Sequence, residues 1–166
     1  MPEPKDLVIN TGPIIALVSA VGELSVLNYM YRRVVVPFEV CQEIHAGGQS
    51  RFAIPQFEGA NWLHRWPTPV DISPILLNSL DRGEAAVIQI ALVEGIHTVC
   101  IDESMGRRVA RLHNLSLTGS IGILLKAKRS GYPLSMREAI KNMRSKGIWL
   151  SRKVADFALL HAGEID

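Results

Sequence analysis

Short, uninterrupted apolar runs that are separated by helical segments most constrain the fold of this 166-residue chain. Four such runs read "LVI" at residues 7–9, "VVV" at 34–36, "HTVCID" at 97–102 and "LSLTG" at 115–119. Strands that are buried on both faces are continuously apolar, whereas strands with a solvent-facing side alternate apolar and polar residues. The runs therefore predict an α/β fold, with a central, mostly parallel sheet that helices cover on both faces.

The segments between these runs carry the start and stop signals of helices. Pro13 can occupy the first turn of a helix, which Asn10 or Thr11 can cap. Asp81 can cap a helix that runs from about residue 83 to residue 94. Further helices are predicted at 24–30, 37–47, 103–114, 120–131, 136–146 and 152–161, and an edge strand or extended segment at 61–66.

Length and composition favour one domain. With 166 residues, of which 48% are hydrophobic, the chain can bury one core. We expect a single domain over residues 1–166, with a helical C-terminal extension from about residue 132. No stretch reaches the roughly 18 apolar residues that span a bilayer, and the first residues lack a secretory pattern. We therefore expect a soluble, cytoplasmic protein with no membrane partner.

Polar side chains stand where the predicted strands end. Asn10 follows the first strand, Asp102 and Glu103 follow the third, and Thr118 lies at the end of the fourth. In open parallel sheets, ligands bind beyond the carboxyl ends of the strands, at the crevice where the strand order reverses. These residues are therefore the first candidates for a functional site.

Glu43 and Glu84, on helices that begin after strands or turns, can join Asp102 and Glu103 in an acidic cluster. Hard divalent cations such as Mg²⁺ take oxygen ligands and usually need one or two carboxylates plus a substrate phosphate. Each carboxylate also has a simpler explanation. Glu84 can interact with a helix dipole, Asp102 can cap the helix near residue 104, and Glu43 can be solvated. Both interpretations stay open at this point.

Charge is distributed unevenly along the chain. Residues 1–103 hold 6 Lys or Arg against 12 Asp or Glu, whereas residues 104–153 hold 12 basic residues against one acid. A basic surface gains affinity for nucleic acid by displacing counterions from phosphates, although solvated helix faces give the same pattern. The candidates for contacts with a nucleic-acid backbone are Arg107, Arg108, Arg111, Lys126 and Lys128.

Four stretches in this order and spacing resemble the PIN-domain superfamily, in its branch of predicted nucleic-acid-binding proteins related to bacterial toxin ribonucleases. They are "LVINTGPIIAL", "VVVPFEVCQEI", "LDRGEAAVIQIALVEG" and "VCIDESMGRRVARLHNLSLTGSIGILLKAKRSG". The resemblance implies a three-layer α/β/α sandwich and an acidic ribonuclease site. Its catalytic positions fall on Asn10, Glu43, Glu84 and Asp102, with Thr11 and Thr118 as supporting residues.

The resemblance also implies an activity, a cofactor and partners. The expected function is a Mg²⁺- or Mn²⁺-dependent endoribonuclease, the toxin of a toxin–antitoxin pair, with RNA, an antitoxin and a second copy as candidate partners. Asn10 departs from the superfamily pattern, because an amide can offer a carbonyl oxygen to a metal but carries no charge and cannot act as a base. The alternative is a PIN-like module that binds nucleic acid or protein without cleavage. A nucleotide-binding domain is a third class, but no glycine-rich phosphate loop is present.

Overall fold

A five-stranded parallel sheet forms the centre of the computed structural model, which describes residues 4–164. The strands are β1 (Asp6–Ile9), β2 (Arg33–Val36), β3 (His64–Arg65), β4 (Thr98–Cys100) and β5 (Ser116–Thr118). They lie in the order β3-β2-β1-β4-β5, and every pair is parallel. Helices flank this sheet, so the predicted α/β class with a parallel central sheet is confirmed.

Ten α-helices and one 3₁₀ helix lie within the described residues. The helices are α1 (Thr11–Val21), α2 (Ser25–Met30), α3 (Phe38–Ala46), α4 (Ile54–Gly59), α5 (Pro74–Ser79), α6 (Arg82–Glu94), α7 (Ser104–Leu112), α8 (Ser120–Arg129), α9 (Met136–Ser145) and α10 (Arg152–His161), with the 3₁₀ helix at Gly48–Ala53. None of them is long and apolar enough to cross a membrane.

Strand β1 is the middle of the sheet, which explains its uninterrupted apolar sequence. Leu7 pairs with Val34 of β2 on one side and with Thr98 of β4 on the other. The side chains of Leu7, Val8 and Ile9 are fully buried, because helices cover the strand from both faces. A central parallel strand has no solvent-facing side, so no polar alternation is possible there.

The strand order reverses at the pair of β1 and β4, and this reversal fixes where a ligand can bind. From β1 the chain first adds β2 and β3 on one side, and it later adds β4 and β5 on the other. The backbone N–H of Asn10 donates to the carbonyl of Cys100 at 3.1 Å, just beyond the last residue of β1. The residues that follow β1 and β4 therefore lie beside the crevice that such a reversal opens.

Three local features differ from the sequence-based expectation. Asn10 occupies the N-cap position of α1, but its side chain makes no capping hydrogen bond. Asp102 does not cap α7, because Glu103 is the residue at the N-cap position of that helix. The 3₁₀ helix, α4 and α5 were not expected, since these six-residue segments lie in or next to residues 47–74, where Gly, Pro and polar residues interrupt any helical periodicity.

The C-terminal helices pack on the rest of the domain. The side chain of Asn142 on α9 donates to the carbonyl of Ala20 on α1 at 3.0 Å. Glu164 accepts hydrogen bonds from the backbone N–H groups of Met136 and Arg137 at the start of α9. The predicted helices at 136–146 and 152–161 are thus confirmed, and the predicted edge strand at 61–66 contains β3, at the edge of the sheet.

Candidate metal centre

Three carboxylates meet at the carboxyl edge of the sheet. Asp81 precedes α6, Glu84 lies in the first turn of α6, and Glu103 precedes α7. One oxygen of each lies within 4.8 Å of an oxygen of the other two. Since α6 and α7 enter the edge from different parts of the chain, the fold itself imposes this proximity of like charges.

Glu84 is the buried member of this acidic cluster. Only 4% of its surface is exposed, and its Oε2 atom has no hydrogen-bond partner among residues 4–164. Burial is the main cause that raises the pKa of Glu84 to about 8, and the neighbouring Asp81 and Glu103 carboxylates raise it further. A bound cation would remove this penalty, because it would supply both a partner for the oxygen and an opposite charge.

Glycines make room for the carboxylates of this site. A Cβ atom at Gly106 on α7 would lie 2.3 Å from Oε2 of Glu84 and 2.9 Å from Cγ2 of Ile101. A Cβ atom at Gly83 would lie 2.1 Å from Oε1 of Glu43. All three distances are well inside van der Waals contact, so the Glu84 and Glu43 carboxylates occupy space that side chains at Gly106 and Gly83 would otherwise fill.

Glu43 belongs to the same neighbourhood. It projects from α3 toward the first turn of α6, and its Oε2 atom accepts a hydrogen bond of 2.9 Å from the hydroxyl of Thr11. Burial raises the pKa of Glu43, the Thr11 hydrogen bond lowers it, and the charges of Asp81 and Glu103 raise it. The structure therefore brings Glu43, Glu84 and Glu103 together, as well as Thr11 as a positioning residue.

Asn10 is also buried at this edge. Its exposed fraction is 6%, and its Oδ1 atom lacks a hydrogen-bond partner within the described part of the chain. A buried carbonyl oxygen without a hydrogen-bond partner typically lowers the stability of the fold by about 1–3 kcal/mol, so the presence of Asn10 at this position needs an explanation. An amide oxygen that is left free can act as a neutral ligand or can hold a water molecule.

Asp102 and Thr118 are engaged in other contacts. The two oxygens of Asp102 accept hydrogen bonds from the backbone N–H of Ser120 at 2.8 Å and from its hydroxyl at 2.9 Å. Asp102 therefore holds the start of α8 and lies outside the three-carboxylate group. Thr118 is buried, and its hydroxyl interacts with the phenol of Tyr31 and with the carbonyl of Gly119.

The basic candidates divide into two groups. Arg108, Arg111 and Lys126 are exposed, whereas Arg107 is half-buried and its Nη1 atom donates to the carbonyl of Ile101 at 2.8 Å. Lys128 instead forms an ion pair of 2.5 Å with Glu164. Lys128 and Arg107 thus have intramolecular partners, whereas Arg108, Arg111 and Lys126 are exposed to solvent.

Asp81 was missed as a site residue because capping already explains it. Its Oδ1 atom accepts a hydrogen bond of 2.8 Å from the backbone N–H of Glu84, as the sequence pattern indicates. The signal that could have found it is the spacing, since residues three apart in the first turn of a helix lie on the same side.

The chemistry of these donors fits a hard divalent cation. Within residues 4–164 they offer carboxylate and amide oxygens, which Mg²⁺ and Mn²⁺ prefer, rather than a thiolate and imidazole set. Like charges at such distances repel each other unless a cation neutralises them. The cluster is therefore a candidate metal centre.

Comparison with known proteins gives one result. A family model described as a PIN domain, DUF3368, matches residues 6–164 of the chain. No curated protein and no solved structure matches it significantly.

Proposed function

The chain belongs to the PIN-domain family DUF3368, and from this membership we propose that it is a metal-dependent endoribonuclease. PIN domains have nuclease-type functions and generally depend on divalent metals. An acidic cluster suited to such a metal is present, formed by Asp81, Glu84 and Glu103. We propose RNA as the substrate and Mg²⁺ or Mn²⁺ as the cofactor.

The buried carboxylate of Glu84 carries this proposal. A carboxyl group with a free buried oxygen and two acidic neighbours is unfavourable for folding, so a functional reason is the simplest one for its presence. Asp81, Glu84 and Glu103 would hold the metal, with Glu43 directed at the same place. A metal at this position supplies the activation of water and the charge stabilisation that phosphodiester hydrolysis needs.

The chain's own residues would perform the other tasks. Thr11 holds the carboxylate of Glu43 in place through its hydroxyl. The free amide oxygen of Asn10 can orient a water molecule at the edge of the sheet. Arg108 and Arg111 can bind phosphates of the RNA backbone, since both are exposed on the helix that follows Glu103.

We also propose a biological role, the toxin of a toxin–antitoxin pair, with an antitoxin and a second copy of the chain as partners. This part rests on the resemblance of the four sequence stretches to the toxin-related branch. A small partner gene directly beside this one would support it.

A PIN-like binding module without cleavage is the second candidate, and two observations favour it. Asn10 supplies no negative charge where the superfamily usually has a carboxylate. Asp102, another family position, is bound to Ser120 by two hydrogen bonds. Asn10→Asp separates the two functions, because a gain of metal-dependent cleavage would identify a weakened nuclease.

An RNA-cleavage assay tests the main proposal. Labelled RNA is incubated with the purified protein in Mg²⁺, in Mn²⁺ and in a chelator, using the wild type, Glu84→Gln and Asp102→Asn. Glu94→Gln is the matched control, since Glu94 is exposed at the other end of the same helix, about 15 Å along the helix axis from Glu84. We expect cleavage only with metal, retained by the control and lost in Glu84→Gln and in Asp102→Asn. Absence of wild-type cleavage across varied RNAs, or equal cleavage with chelator, contradicts the proposal.

A further inference from the structure

A groove of about 640 Å³ opens beside the acidic cluster. Its lining includes Asp102 and Arg107, and Asp102 is the neighbour of Glu103 of the cluster in the sequence. Residues of the first turns of α8 and of the segment between α9 and α10 also line it, as do Trp149 and Phe157. It therefore connects the edge of the candidate metal centre with the C-terminal helices.

Two aromatic side chains of this groove are exposed to solvent. Trp149 is 84% exposed, and Phe157 is 53% exposed although one side of its ring lies 4.1 Å, centroid to centroid, from the ring of His161. Such exposure contributes little to the folding of the chain, because apolar surface stabilises a fold only when it is removed from water. Large exposed aromatic groups in a groove are instead typical of a binding surface.

The charge around the groove favours a polyanion. Arg107 and Lys126 line it, and Arg152 and Lys153 begin α10 directly after the segment that carries Trp149. Among residues 4–164, Asp102 is the one carboxylate that lines the groove, and both of its oxygens accept hydrogen bonds from Ser120. Arg107 donates one hydrogen bond to the backbone, and a guanidinium has five N–H donors, so donors remain for a phosphate.

We propose that this groove binds unpaired nucleotides of the RNA strand, with bases stacked on Trp149 and Phe157 and phosphates on Arg107 and Lys126. The inference rests on the proposed ribonuclease function, because the groove would hold the part of the RNA strand that extends beyond the metal centre. Flat aromatic bases joined by charged phosphates match the combination of aromatic rings and cations along the groove. Paired bases cannot reach the rings, since stacking requires that the base faces be free.

Binding in a chelator tests the groove without cleavage. A fluorescein-labelled U₁₂ oligonucleotide is titrated with wild type, Trp149→Phe, Trp149→Leu and Phe157→Ala, and fluorescence anisotropy gives Kd at fixed salt. Trp149→Phe keeps an aromatic face and Trp149→Leu keeps only an apolar one. The matched control is Leu160→Ala, an exposed apolar residue of α10 that does not line the groove. Thermal unfolding verifies that each variant is folded.

We expect Trp149→Leu and Phe157→Ala to weaken binding by about fivefold or more, because stacking one base is worth about 1–3 kcal/mol. Trp149→Phe and Leu160→Ala should stay within about twofold of the wild type. An abasic oligonucleotide of the same length should bind wild type and Trp149→Leu equally. Equal U₁₂ affinity of Trp149→Leu and wild type would overturn the proposal, and so would an equal loss with the abasic strand.

Three further outcomes separate this inference from the proposed function and from other occupants of the groove. Trp149-dependent binding without any metal-dependent cleavage contradicts the ribonuclease function and leaves the groove supported. Cleavage together with Trp149-independent binding contradicts only the groove. Sedimentation of wild type and Trp149→Ala tests a second copy as occupant, because a dimer that Trp149→Ala dissociates, with unchanged RNA affinity, overturns RNA binding there.

Discussion

Glu84→Gln should make the metal-free protein more stable while it abolishes the metal-dependent function. Glu84 is almost fully buried, with one unpaired oxygen and the Asp81 and Glu103 carboxylates beside it. A glutamine has nearly the same shape, carries no charge and can donate hydrogen bonds to both neighbours. The substitution therefore removes the free-energy cost of burying an ionisable carboxyl group, without leaving a cavity.

The magnitude follows from the pKa of Glu84, which rises from 4.5 to about 8 on folding. A raised carboxyl pKa lowers the free energy of unfolding once the pH exceeds the pKa of the group in the unfolded chain, because the unfolded chain ionises first. This loss grows with pH up to the pKa in the folded chain and is constant above it. Between the unfolded value and pH 7 this loss reaches roughly 3 kcal/mol at about 1.4 kcal/mol per pH unit, which is part of the full shift. After allowance for water near the edge of the sheet, we expect about 1–3 kcal/mol, or about 2–10 °C in Tm.

Thermal unfolding in a chelator, followed by circular dichroism from pH 4.5 to pH 8.5, measures this difference. Glu84→Gln should gain stability over the wild type as pH rises from about 4.5 to about 8, and the two should be alike at the acidic end. Glu94→Gln is the control and should stay within about 0.5 kcal/mol of the wild type. A Glu84→Gln protein that is less stable at pH 7, or a difference that does not depend on pH, would refute the reasoning.

Three other substitutions test separate parts of the structure. Gly106→Ala should lower the free energy of unfolding by about 1–2 kcal/mol in urea, since overpacking against Glu84 outweighs a gain in helix propensity of about 1 kcal/mol, whereas Gly12→Ala, with open space around its Cβ, should cause no loss. Burial opposes ionisation of Glu164, but hydrogen bonds from Lys128 and from the start of α9 lower its pKa to about 2. Glu164→Gln should therefore cost about 1–2 kcal/mol of stability at pH 7, and the wild type should lose this extra stability as pH falls from 4.5 to about 2 in an acid titration. Arg111→Ala should weaken RNA binding and reduce the slope of log K against log salt by about 0.7, because one phosphate contact is lost. Fluorescence anisotropy at salt concentrations from about 50 to about 200 mM measures this slope.

The strands and the edge of the sheet could be predicted from the sequence because their signals are local. Leu7 to Ile9 is fully buried as its apolar run predicts, and Asn10 follows it at the reversal of strand order. The family resemblance was confirmed by the match over residues 6–164. An apolar run and the turn residues that follow it are both visible within a few consecutive residues, so they can be recognised without knowledge of the tertiary contacts.

The details of the site depended on contacts between distant segments, which no local pattern contains. Asp81 reads as a helix cap, and only the approach of α7 to α6 brings Glu103 next to it. Asp102 was expected in the cluster and at the start of α7, yet the hydroxyl and N–H of Ser120 bind it at 2.9 Å and 2.8 Å. The metal role of each of these residues stays a prediction.

Titration calorimetry with Mn²⁺ tests most directly whether the acidic cluster is a metal centre. Wild type, Glu84→Gln, Asp81→Asn and the Glu94→Gln control are compared after removal of metal with a chelator. We predict one binding site in the wild type and in the control, and affinity reduced at least tenfold in the two cluster variants. Unchanged Mn²⁺ binding in Glu84→Gln and Asp81→Asn, or no binding by the wild type, would contradict the account.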